Sequence, residues 1–392
     1  MFLVTGKWIV LLSFFTNNCK NYCGFLHDMT HCAKFNSSNF IQVLKDTPMD
    51  FNSWSSALLI IIFLIATVAI WVSGIKLTKA IDAITTHYGL GEAFGGIVFL
   101  AIVTNLPEIA ITAVAAYHRD YDIAISNILG GIAIQTVVLS LIDVFGVGRS
   151  APLTQKGHAK ILILEGVSLI FILSVVIIGK QFPSSLIYYR TTPFEWLILI
   201  IWLGTIFLIS KMADAKKKVN PTRSIHELKF PKSTFKGSIK GAMLVLLIGA
   251  IITLFAGWSL EITGKILANR WGISGVLFGG TILALCTALP EISTGIASAK
   301  IRDYNMAVSD IFGGNAFLPV LFIVASIIGG DAILPNLKPS DIYLTSLGII
   351  LTGIYMAGMV IHSKKQIYRM GIDSFIVLIV YLLGIWGLLA LV

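Results

Sequence analysis

One stretch of this chain occurs twice. LAIVTNLPEIAITAVAAYHRDYDIAISNILGG, Leu100 to Gly131, aligns without a gap to LALCTALPEISTGIASAKIRDYNMAVSDIFGG, Leu283 to Gly314, at an offset of 183. Of the 32 aligned residues 16 are identical, among them Thr104/Thr287, Pro107/Pro290, Glu108/Glu291 and the Arg-Asp-Tyr that follows. The chain is therefore expected to consist of two related halves. Each copy also sets a glutamate directly after a proline inside a run otherwise apolar enough to span a bilayer. An ionisable group at that depth costs several kcal/mol on insertion scales and marks a functional site.

Only 12% of the residues are charged, against roughly 25% in soluble domains, so the expected class is an all-α, polytopic membrane protein. Apolar segments recur at about 55–75, 91–117, 122–145, 160–179, 193–210, 240–258, 274–299, 305–328, 340–361 and 372–392. Each is long enough to cross about 30 Å of hydrocarbon as a helix. The implied organisation is a leader over 1–54, a five-helix repeat over 55–210, a basic linker over 211–239 and a second five-helix repeat over 240–392.

The net charge of +9 does not point to nucleic acid, because the basic residues fall in loops rather than on one face. With the first span running inward, inside loops hold 19 of the 29 Lys and Arg. The positive-inside rule then puts both termini outside and the linker in the cytoplasm, with a plasma (inner) membrane as the default location. Residues 1–54 carry a short apolar run after Lys7, a loose Cys19, Cys23, Cys32, His27, His31 cluster that matches no strong zinc spacing, and an Asn36-Ser37-Ser38 acceptor pattern.

Glu108 lies in the second span and Glu291 in the seventh. An odd separation makes the two helices cross in opposite directions, so the halves are inverted repeats about an axis in the membrane plane, and the glutamates are expected to meet near the midplane. Pro107 and Pro290 remove amide donors, leaving backbone carbonyls to be satisfied by something that lines the site. The resulting candidate set is all oxygen: Glu108, Glu291, the hydroxyls of Thr104 and Thr287, and carbonyls near Ala101 and Ala284. Such ligands suit calcium, sodium or protons and argue against zinc, copper or iron. Asn105, Asn127, Gln135, Asp310 and Asn315 are possible secondary ligands. Gly130, Gly131, Gly313 and Gly314 read as close-packing residues. Asp143, Glu165, Glu195, Asp341 and Asp373 fall near span ends, where water or headgroups can solvate them, and Arg119-Asp120 and Arg302-Asp303 are expected to cap and orient the glutamate helices.

Two inverted sets of five helices, each with a Thr-x-x-Pro-Glu helix followed by a Gly-rich helix, resemble the calcium:cation antiporter superfamily, the sodium/calcium exchanger family in particular. The resemblance covers nearly all of residues 55–392. It implies an antiporter that moves Ca2+ against Na+ or H+, with Glu108 and Glu291 as shared ligands, Thr104 and Thr287 as flanking ligands and Ala101 and Ala284 as carbonyl donors. The chain departs from the family pattern at Asn105 and Ala288, at Ile132 and Asn315 after the glycine pairs, and at Gln135 and Leu318. Fewer outer ligands speak against three or more sodium ions per calcium, and a carboxylate buried in hydrocarbon can also carry a proton. A monovalent Na+/H+ antiporter is the alternative on the same scaffold, and a passive cation channel the alternative of another class. No cofactor and no enzymatic motif is implied.

Overall fold

Long apolar runs in hydrocarbon must satisfy their backbone internally, and helices do so within one segment. The computed structural model describes residues 51–88, 94–148, 151–157, 160–183, 187, 189–219 and 237–391. The leader cluster, the Asn36 pattern and most of the basic linker lie outside the described residues. Phe51–Ser53 is a single 3-10 turn; the described residues from Ser55 onward belong to the unit Ser55–Val392.

The first half comprises α1 (Ser56–Tyr88), α2 (Phe94–Thr104), α3 (Leu106–Tyr117), α4 (Tyr121–Ile142), α5 (Lys160–Lys180) and α6 (Pro193–Val219). The second comprises α7 (Ile239–Arg270), α8 (Gly275–Thr287), α9 (Leu289–Lys300), α10 (Tyr304–Gly329), α11 (Pro339–Ile361) and α12 (Ile372–Leu389). Among the described residues, eight helices are long and apolar enough to cross a membrane, and α8 with α9 forms a ninth crossing bent by 44°. The shorter α2 and α3 are the matching broken pair, so the crossings number about ten, as expected.

Packing repeats with the sequence. α7 lies on α3 as α1 lies on α9, and α11 packs on α4 as α5 packs on α10. At single-residue scale, Gly74 of α1 faces Pro290, while Gly257 of α7, 183 positions later, faces Pro107 and Ala110. These are the contacts of an inverted repeat. α4 and α10 form the centre, with 83% and 72% of their apolar windows buried, whereas α1 and α7 are 33% and 22% buried and face lipid. At 33 and 32 residues, α1 and α7 are about 50 Å long at 1.5 Å per residue. They exceed the hydrocarbon thickness and run well past the spans expected from hydropathy.

One expectation needs correction. The five acids placed near span ends are buried in protein rather than solvated: Asp143, Glu165, Glu195, Asp341 and Asp373 are at most 8% exposed. Asp143 accepts from Leu153 N, Gly371 N and Ser374 Oγ at 2.7–2.9 Å. Glu195 accepts from Ser326 Oγ at 3.0 Å and from Thr192 N at 3.3 Å, and Asp341 from Lys338 N at 2.7 Å. For Asp143, Glu195 and Asp341 backbone amides take the place of water. The Arg-Asp pairs do cap the glutamate helices, at their C-terminal ends: Arg119 N and Asp120 N donate to Ala116 O and Ala115 O at 3.0 and 2.8 Å, and Arg302 N and Asp303 N to Ala299 O and Ser298 O at 3.0 and 2.9 Å. Asp303 accepts from Met306 N at 3.1 Å and so starts α10, and Asp120 is held by Lys265 of α7. Arg119 and Arg302 take the left-handed backbone (φ 61° and 67°) that turns the chain between the two helices.

Candidate functional site

Each Thr-x-x-Pro-Glu segment interrupts its helix rather than merely bending it. Proline lacks the amide that would continue the hydrogen-bond ladder, so α2 ends at Thr104 and α3 restarts at Leu106 across Asn105 (φ −94°, ψ 21°). Likewise α8 ends at Thr287 and α9 restarts at Leu289 across Ala288 (φ −80°, ψ −2°). Each proline occupies the first or second position of the new helix, where a missing N–H costs little, and each glutamate falls in that first turn. Two half-helix N-termini therefore carry the carboxylates, and two C-terminal ends, whose dipoles are negative, finish at the threonines. Carboxylates together with helix C-termini favour a cation.

Both carboxylates are withdrawn from water: Glu108 is 0% and Glu291 7% exposed. Gln135 Nε2 donates to Glu108 Oε1 at 3.4 Å. The Thr287 hydroxyl, from the other half, faces the same carboxylate. Glu291 has Glu108 and Asp310 as its charged neighbours. Oε2 of each glutamate is buried without a hydrogen-bond partner among the described residues. Two carboxylates this close in a buried site cannot both stay ionised without a counter-charge. One divalent ion, two monovalent ions or protons would provide it.

The other expected ligands divide. Asp310 joins the group, accepting from Thr294 Oγ1 at 3.0 Å one turn beyond Glu291. Asn315 sits fully buried and donates to Ile132 O and Thr136 Oγ1, each at 3.3 Å, with Oδ1 left over. Asn127 is buried, with neither side-chain amide atom hydrogen-bonded among the described residues. The carbonyls expected to be free are occupied. Ala101 O accepts from Asn105 Nδ2 at 2.8 Å, Asn105 N at 3.4 Å and Thr104 Oγ1 at 3.4 Å. Ala284 O accepts from Thr287 Oγ1 and Ala288 N, both at 3.1 Å. Side-chain donors a turn away reach carbonyls at a broken helix end before any ion does. An arriving cation would have to displace these bonds or share the carbonyls with them.

Sequence reasoning missed Thr294, which holds Asp310, and Glu165, which accepts from Ser309 Oγ at 2.6 Å beside Asp310 and whose Oε2 has no partner among the described residues. Threonine in an apolar helix carries little signal, but a glutamate well inside the fourth apolar segment could have been flagged by its depth. The glycines also sort themselves. Gly130 lies against the backbone of Gly280 in the π-helical turn Phe278–Leu283, while among the described residues nothing lies within 4 Å of a Cβ at Gly313. A cavity of about 770 Å³ lined in part by Lys156, Lys300 and Arg302 includes neither glutamate.

Comparison with known proteins follows the same lines. The family described as Sodium/calcium exchanger protein matches residues 58–219 and 240–389. Inner membrane protein YrbG of Escherichia coli (strain K12) is 27% identical over 250 residues, 63% of this chain and 73% of that protein. Among solved structures, the H+/Ca2+ exchanger CAX aligns with a TM-score of 0.59 at 12% identity, covering 87% of this chain and 89% of that one. The sodium-calcium exchanger NCX_Mj aligns with a TM-score of 0.56 at 19% identity, covering 85% and 99%. At these identities the structural matches speak to the fold.

Proposed function

The chain belongs to the sodium/calcium exchanger protein family, a family of cation exchangers and not of enzymes, and from that premise we propose that it exchanges Ca2+ for Na+ or H+ by alternating access at a site built on Glu108 and Glu291. The observation that carries the reading is the meeting of two buried carboxylates from oppositely directed half-helices, each with one oxygen unbonded. Thr104 and Thr287 would supply hydroxyls, Ala101 and Ala284 carbonyls, and Asp310 a third acidic group. Gln135 spends its amide on Glu108 and Asn315 its amide on the opposite half, which leaves their carbonyl oxygens as ligands.

In this reading residues 55–210 and 240–392 are the two exchanging halves and 211–239 a cytoplasmic linker, with both termini outside. α1 and α7, long, peripheral and packed on the half-helices of the other repeat, are the elements that rock. Solved proteins of this fold are named for exchange of calcium against protons and against sodium, and both remain counter-ions to test.

The test is calcium flux into proteoliposomes of purified protein under a sodium gradient and, separately, a proton gradient, beside Glu108→Gln and Glu291→Gln. Uptake driven by one gradient and abolished by both substitutions establishes exchange and identifies the counter-ion. Calcium flux that persists with neither counter-ion present overturns antiport in favour of a channel. Absence of calcium flux under both gradients, with sodium–proton exchange intact, overturns calcium as substrate.

A further inference from the structure

Glu261 lies in the C-terminal half of α7, fully buried, and neither of its carboxylate oxygens is hydrogen-bonded among the described residues. A carboxylate in that position calls for a cation. Its neighbour is His118, in the turn that follows α3, with Nδ1 3.5 Å from Glu261 Oε2. Asp120 completes the group, and one ligand atom from each of the three lies within 4.8 Å of the others. Lys265, one turn further along α7, holds one oxygen of Asp120 and leaves the other.

We propose that His118, Asp120 and Glu261 form a second divalent-cation site, separate from the central carboxylates, that takes ions with affinity for imidazole, zinc above all, and by tying α7 to the end of α3 slows exchange.

The donor set argues for that class of ion. Calcium seeks six to eight oxygens, whereas zinc is satisfied by three protein ligands of mixed nitrogen and oxygen plus water. Tetrahedral ligation at about 2.1 Å places ligand atoms about 3.4 Å apart, close to the His118–Glu261 spacing of 3.5 Å. His118 has 39% of its side chain exposed, which leaves a route for the ion and a place for water. The site has no counterpart in the other half, where Thr78 and Ile301 occupy the positions matched to Glu261 and His118. A bound ion would therefore act at one membrane face, the outer one under the charge distribution of the loops.

The experiment measures zinc binding to the purified full-length protein in detergent, with calcium in excess to occupy the central site. The expected result is one high-affinity zinc per chain, weakened by about tenfold or more in His118→Ala and in Glu261→Gln and restored by His118→Cys. Lys265→Met, which frees the second Asp120 oxygen, tightens binding. Cobalt substitution gives visible absorption bands of nitrogen–oxygen coordination that His118→Ala removes. Zinc binding indifferent to His118→Ala but lost in Glu108→Gln would overturn the proposal, as would the absence of zinc binding by protein whose thermal midpoint is normal. A flux arm rests on the exchange reading above: zinc slows exchange by the parent protein and not by His118→Ala. Because binding is measured without transport, the site and the transport reading can fail independently.

Discussion

Asn315 donates its side-chain amide to the carbonyl of Ile132 at 3.3 Å, and the two residues stand 183 positions apart, the offset of the repeat. A residue can bond its own counterpart only where the pseudo-twofold axis passes between them. The contact marks that axis, with the Gly-rich helices α4 and α10 crossing on it. Losing a buried hydrogen bond of this kind costs about 1–2 kcal/mol. Asn315→Ala should therefore lower the thermal midpoint in detergent by a few degrees, read from intrinsic fluorescence. An unchanged midpoint would mean that apolar packing alone joins the halves at the axis.

Calcium bound between Glu108 and Glu291 stabilises the folded state through mass action, by about 2.7 kcal/mol at a concentration 100 times the dissociation constant. The parent protein should show a calcium-dependent rise in thermal midpoint. In Glu108→Gln and Glu291→Gln that rise should disappear even if the midpoint without calcium goes up, because a buried, unbalanced charge has been removed. A preserved calcium response in either variant would move the ligand elsewhere.

Gly130 and Gly313 are matched in sequence and differ in surroundings. A Cβ at Gly130 overlaps the Gly280 backbone, and one at Gly313 meets nothing within 4 Å among the described residues. Gly130→Ala should destabilise by about 1–3 kcal/mol through overpacking. Gly313→Ala should be neutral or gain up to about 1 kcal/mol of helix propensity. Thermal unfolding of the two variants side by side decides it, and equal effects would contradict the asymmetry.

At Gly74 a Cβ would stand 2.5 Å from Pro290 Cγ, and at Gly257 2.6 Å from Ala110 Cβ. Alanine at either position pushes the first helix of one half away from the broken helix of the other, where the movement of alternating access is expected. Several-fold slower exchange, with calcium still raising the thermal midpoint, is the expected outcome for each. Full-speed exchange in both variants would show that neither contact limits the motion.

Burial raises the carboxyl of Asp303 above the usual aspartate range, opposed by the Met306 amide that it caps. The folded chain then holds this proton more tightly than the unfolded chain does. The resulting stability is fully present below the usual aspartate value of about 3.9 and is lost as pH rises through the raised one. Asp303→Asn keeps a capping side chain and removes the titration. Its thermal midpoint should fall less steeply with pH across that window than that of the parent, and parallel profiles would refute the assignment.

The repeat, the run of apolar crossings, the amide donors missing at Pro107 and Pro290 and the matched glutamates are all legible along the chain. All of these follow from rules that act along the chain: a repeat offset, the length of an apolar run, a missing amide, the cost of a charge in hydrocarbon. Which groups are dry depends instead on contacts between distant helices. Asp143 and Glu195 look like solvated span ends until backbone from residues 371 and 334 closes over them, and Gly130 resembles Gly313 until Gly280 is placed beside it. The cluster of His118, Asp120 and Glu261 is assembled from residues some 140 positions apart, with no counterpart in the matched half. Helix neighbours are chosen by complementary shape across the whole bundle, and a residue's access to water is set by those neighbours rather than by its own position in the chain.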